Sequence, residues 1–203
     1  MPNDLTKMRN VLYAVFALVA FSAIVVWVYI ISDRYATRLE TSLVKGAALR
    51  GLNGNAWTPS QLNKKVGIIY FGYTSCPDVC PTTLNNLALA LPQIGSDRGR
   101  FQPIFVSVDP SRDTPELISN YVAHFDGNFL GLTGTEEELR SFTWKFGASY
   151  SVKKADAQDN DYIVEHSANL YLVNSNGLLS VMPVKDHPED IKMLLVRSLG
   201  KMN

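Results

Sequence analysis

Hydrophobic and polar positions alternate along this chain in three distinguishable ways. Val11 to Ile31 is a continuous apolar run broken only by single polar atoms, such as those of Tyr13, Ser22 and Tyr29. As a helix it would reach roughly 31 Å, about one hydrocarbon core. Trp27 and Tyr29 fall near one end, where interfacial aromatics belong. A cleaved signal peptide would have a shorter apolar core and a small-x-small cleavage site, and neither is present. Short apolar runs of strand type follow at Val66–Phe71, Phe101–Val108, Leu170–Val173 and Leu178–Val184. Helical spacing marks Thr82–Leu91, Pro115–Phe125, Glu136–Phe146 and Pro188–Leu199. The starts are punctuated: Thr114 before Pro115, a Thr135/Glu138 capping box, and His187-Pro188 with Glu189 and Asp190. Asn53-Gly54 between short runs predicts a hairpin turn, and Asn174–Gly177 another tight turn.

Strand, helix, strand, helix, hairpin and a last helix is the order of a thioredoxin-like α/β domain. The expected organisation is a short segment 1–10, a single transmembrane helix 11–31, a stalk or helical extension 32–45, and the domain 46–203. Sidedness is not legible from charge, because Lys7, Arg9 and the terminal amine balance Arg34, Arg38 and Lys45. The 203 residues carry 19 basic and 19 acidic side chains, so no electrostatic footprint for nucleic acid exists. With 46% hydrophobic residues in separated runs, the composition excludes both a disordered chain and a polytopic membrane protein.

The chemistry gathers where the first strand ends, at Gly72-Tyr73-Thr74-Ser75-Cys76-Pro77-Asp78-Val79-Cys80-Pro81. Proline is tolerated only in a helix's first turn, so Pro81 places the helix start near Cys80. Cys80 then faces the core, Cys76 sits at the rim, and the helix dipole should lower both thiol pKa values. A staple closing so small a loop would stabilise the fold by only about 2 kcal/mol, which argues for a functional pair. The spacing itself leaves reversible disulfide and metal ligation both open. Of the three histidines, His124 at a helix end and His187 at a helix start read as structural or exposed. His166, in the loop entering the strand Leu170–Val173, would face the cysteine turn. Two thiolates and one imidazole form a soft donor set suited to Cu(I) or Cu(II), whereas a closed zinc site would need a fourth protein ligand.

The segments FGYTSCPDVCPTTL (71–84), VSVDPSRDTPE (106–116), FDGNFLGLTG (125–134) and His166-Ser167-Ala168 together resemble the Sco/SenC family of copper-binding cytochrome oxidase assembly proteins. The resemblance runs over about residues 45–200. It implies a thioredoxin-like domain on one membrane anchor, in the periplasm or the mitochondrial intermembrane space. It further implies one copper per chain on Cys76, Cys80 and His166, with Asp78 and Asp109 supporting the site or docking a partner. The implied role is a metallochaperone that delivers copper to, or matures, the binuclear site of oxidase subunit II. An upstream copper donor and a thiol reductase would be its other partners. The expected role is that of a metallochaperone rather than a high-turnover enzyme; the alternative is a thiol-disulfide reductase using Cys76 and Cys80. The acidic stretch 155–162 is expected to be a solvated loop before His166.

Overall fold

The computed structural model describes residues 2–44, 49–153, 162–174, 177–184 and 187–200. The chain divides into two units, Met1–Glu40 and Thr41–Asn203. The first is made of a helix, α1, which runs from Pro2 to Val44 and so ends in the first residues of the second unit. Its stretch Lys7–Ile30 is long and apolar enough to cross a membrane. Leu12, Phe16, Phe21 and Trp27 are all exposed along it. Its backbone is helical through the expected stalk as far as Val44, and residues 45–48 lie outside the description.

The second unit opens with β1 (Leu49–Arg50) and β2 (Ala56–Trp57), paired antiparallel. The Asn53-Gly54 signal holds: both residues take positive φ in the short 3₁₀ turn between these strands. Then come β3 (Val66–Gly72), α2 (Val79–Ala90), β4 (Phe101–Ser107), α3 (Pro115–Ala123), β5 (Leu130–Leu132) and α4 (Glu136–Lys145). The chain continues through β6 (Tyr150–Lys153), β7 (Ile163–His166), β8 (Asn169–Asn174), β9 (Gly177–Pro183) and α5 (Pro188–Leu199). One sheet has the order β5-β4-β3-β8-β9, with β3, β4 and β5 parallel and β8 and β9 antiparallel to their neighbours. This is the expected thioredoxin-like α/β fold. Central β3 is buried along its whole length, as a strand covered on both faces must be.

The capping signals act as read. Thr114 accepts a hydrogen bond from the Leu117 N–H, with Pro115 in the first turn of α3, and Thr135 with Glu138 closes the capping box of α4. Three differences matter. Helix α2 begins at Val79, within one residue of the start that Pro81 places near Cys80 and three before the apolar pattern at Thr82, because Pro81 fits within its first turn. The edge strand β5 was not foreseen, being three residues long. Nor was the separate hairpin β6–β7, which changes the setting of His166: it ends strand β7, opposite Tyr150, rather than lying in a loop. The stretch 154–161 and turn residues 175–176 lie outside the described residues.

Candidate metal centre

The end of β3 and the first turn of α2 bring the two cysteines together. Cys80 is fully buried, and Cys76 retains 9% exposure at the rim. Both are free thiols. Gly72 makes room for this: a Cβ there would stand 2.7 Å from the Cys80 Sγ and 2.8 Å from the Phe105 ring. His166 reaches the pair from β7, with its Nε2 3.4 Å from the Cys80 Sγ. In the tautomer that carries its proton on Nδ1, that nitrogen donates to the Ser167 carbonyl at 3.4 Å and leaves the Nε2 lone pair facing the sulfurs. The rings of Tyr70 and Tyr73 stand edge-on to the imidazole, at 5.9 and 6.1 Å between centroids. The ligand atoms of Cys76, Cys80 and His166 all lie within 4.8 Å of one another. Among the described residues this is the one such group able to hold a metal ion.

The two thiols are not alike. The Cys76 thiol is lowered to about 5. A hydrogen bond from Cys80 is the largest cause; burial opposes it, and the main-chain N–H groups of Asp78 and Cys80 and the His166 side chain assist. The Cys80 thiol is pushed up, first by the same hydrogen bond to Cys76 and then by burial. The expectation that the helix dipole would lower both is corrected. Once one sulfur of a touching pair holds the negative charge, the buried other keeps its proton. Tyr70, with its hydroxyl 3.9 Å from the Cys80 Sγ, is also held protonated by burial.

Labelling with iodoacetamide checks this asymmetry, because only a thiolate reacts and reactivity rises with pH through the thiol pKa. Cys76 is expected to reach half its limiting rate near pH 5, with Cys80 unlabelled in the folded protein. A Cys76 rate still climbing through pH 9 would contradict the geometry.

Asp78 and Asp109 occupy different roles from the cysteines. The Asp78 carboxylate points to the Thr82 hydroxyl, at 3.5 Å, and it is the main-chain N–H of Asp78 that faces Cys76. Asp109 is buried, accepting from the Arg112 Nε at 2.5 Å and from the Tyr162 hydroxyl at 2.6 Å, and does not ligate with the cysteines. His124 caps α3 with its Nδ1 2.7 Å from the Asn120 carbonyl, and His187 sits at the N-cap of α5. Sequence reading missed Tyr70, Tyr73, Arg112, Asp113 and Tyr162 around the site. The pair Asp109 and Asp113, at the end of a buried parallel strand, was the available signal for the last three.

Fold and site together define a thioredoxin-like protein with two thiols and an imidazole converging at the end of its central strand. Comparison with known proteins carries this further. Residues 42–199 match the SCO1/SenC family, and the chain belongs to that family. An SCO2-like protein of Rickettsia felis is 38% identical over 125 residues, which is 62% of this chain and 61% of that protein. The chain thus spans about three fifths of the length of that relative. The structure of Arabidopsis thaliana ScoI with copper bound superposes with a TM-score of 0.69 at 32% identity, covering 76% of this chain and 96% of that one. Bradyrhizobium japonicum ScoI with copper bound gives 0.64 at 38% identity, covering 74% and 96%.

Proposed function

We propose that this protein is a membrane-anchored copper metallochaperone that takes part in cytochrome c oxidase assembly by supplying copper to the binuclear site of subunit II. The observation that carries the reading is the approach of two sulfurs and one imidazole nitrogen to within 4.8 Å. That donor set is soft, three-coordinate and open on the Cys76 side, which suits an ion held as cargo and passed on. Relatives at 32% and 38% identity have been solved with copper bound, which supports copper as the ion. Here Cys76, Cys80 and His166 would hold one copper per chain, supplied by an upstream donor. At neutral pH the proton displaced on binding comes chiefly from Cys80, whose thiol is the one held protonated.

One observation favours a second use of the same residues. Cys76 is a partly exposed thiolate beside a second free thiol. It can attack a client disulfide; Cys80 then displaces the client sulfur, leaving a Cys76–Cys80 disulfide as two electrons pass to the client. A thiol reductase would have to restore the pair. Transfer separates the readings: the copper-loaded protein is mixed with the apo soluble domain of oxidase subunit II, either with its cysteines reduced or as a disulfide. The chaperone reading expects copper to appear on the reduced client. Reduction of the oxidised client, with no copper passed to the reduced one, would favour the reductase.

Delivery to an oxidase site outside the cytoplasm or matrix requires the domain to share that side. The anchor 11–31 would then leave residues 1–10 inside, and residues from about Ser32 onward, the stalk 32–45 and the domain 46–203, in the periplasm or intermembrane space. Protease added to intact spheroplasts or mitoplasts is expected to degrade the domain. Protection of the domain until the membrane is lysed would rule out this topology.

A further inference from the structure

Among the described residues, the hairpin that carries His166 forms a sheet of its own, β6 paired with β7, apart from the five-stranded sheet. The ladder that fixes the cysteine turn at the end of β3 reaches His166 from its C-terminal side, where Leu170 of β8 pairs with Tyr70. Side chains from another part of the chain hold the start of β7. The loop after β4 places two buried carboxylates four residues apart, Asp109 and Asp113, each 2% exposed. Asp113 holds the cysteine turn. It accepts from the Thr74 N–H at 2.9 Å, from the Thr74 hydroxyl at 2.5 Å and from the Ser107 hydroxyl at 2.5 Å. Asp109 holds the histidine strand through the Tyr162 hydroxyl, 2.6 Å away, immediately before β7. Arg112 ties the two ends together. Its Nε donates to Asp109, and its guanidinium lies 3.7 Å from the centre of the Tyr162 ring and 5.5 Å from that of Tyr73. Tyr73 in turn stands against His166 and lies three residues before Cys76. Within the loop, the N–H groups of Arg112 and Asp113 both bond back to the Asp109 carbonyl, at 3.2 and 3.0 Å, so the two carboxylates are held as one unit.

We propose that this loop sets the spacing of the metal centre, with Tyr162 as the positioning residue that latches the His166 strand to Asp109 while Asp113 fixes the cysteine turn. Tyr162 bonds to Asp109 and stacks under Arg112, so its effect on the metal passes through His166. The inference rests on the reading of Cys76, Cys80 and His166 as metal ligands. Groups that orient a metal-binding histidine typically change affinity by about 10–100-fold when removed.

The test is a double-mutant cycle on the full chain in detergent, reduced, with Cu(I) affinity read by competition with a chromophoric chelator. Tyr162→Phe is expected to weaken Cu(I) binding about tenfold, and to add less than about a twofold loss when His166 is already alanine. Nitrogen hyperfine coupling in the electron paramagnetic resonance spectrum of the Cu(II) form should weaken in Tyr162→Phe while copper–thiolate absorption persists. Asp109→Asn, which keeps the acceptor's shape but not its charge, should repeat the pattern if Tyr162→Phe does not fold. An unchanged affinity in the Tyr162 variant, or the same loss in both backgrounds, overturns the latch. If His166→Ala alone binds Cu(I) like the wild type, the ligand set itself is wrong and the latch falls with it. That result is visible in the single His166 variant, before Tyr162 is touched.

Discussion

Replacing His166 with alanine is expected to lower copper affinity by more than about a hundredfold while leaving dithiol chemistry largely in place. The two effects separate because His166 enters them unequally. In the proposed site it is one of three ligands, with its Nε2 3.4 Å from the Cys80 Sγ. For the Cys76 thiolate it is the smallest of the named causes, behind the Cys80 hydrogen bond and the N–H groups of Asp78 and Cys80. Removing the imidazole therefore deprives the metal of its only nitrogen ligand but leaves most of what stabilises the thiolate. The thiolate fraction of Cys76 near neutral pH should barely change, and with it the rate of exchange with a small disulfide. Chelator competition gives the affinity, and exchange kinetics at pH 7 give the rate. Equal losses in both would mean that His166 supports the local fold rather than the ion.

Much of this architecture can be read before any coordinates. The buried runs 66–71 and 101–108 became adjacent parallel strands because a continuous apolar segment is stable only with both faces covered. Thr114, Thr135 and Glu138 mark helix starts through bonds that span three residues, which a linear pattern displays directly. The cysteines were legible for the same reason: their relationship is local, within one turn. What escaped is non-local. Tyr150–Lys153 is mostly exposed and polar, so β6 owes its existence to β7 rather than to its own pattern. Asp109 meets Tyr162 across 53 residues and Asp113 meets Thr74 across 39, distances at which no spacing rule applies. The inequality of the two thiols was also hidden. It arises from direct contact between the sulfurs and from the depth of Cys80 against Gly72 and Tyr70, whereas helix position alone treats both sulfurs alike.

Oxidation of Cys76 and Cys80 to a disulfide is expected to remove copper binding altogether, the largest effect in this protein. Near neutral pH the Cys76 thiolate and the Cys80 thiol become a disulfide, passing two electrons to the oxidant, releasing one proton and leaving sulfurs that are poor ligands. Only the His166 imidazole then remains, and a single nitrogen ligand does not hold copper against a buffer or chelator. The reduced state keeps both sulfurs free and within reach of the histidine, so the change requires only the bond itself. Acid should weaken binding by a gentler route, because protons compete for the sulfurs. Cys80 competes over the whole ordinary range, its thiol being held protonated, and Cys76 joins only as pH falls towards about 5. The most direct measurement is copper stoichiometry by elemental analysis after gel filtration, on reduced and disulfide-bonded samples of the same preparation. The metal centre described here requires one copper per chain in the reduced sample and none in the oxidised one; stoichiometric copper on the disulfide form would contradict it.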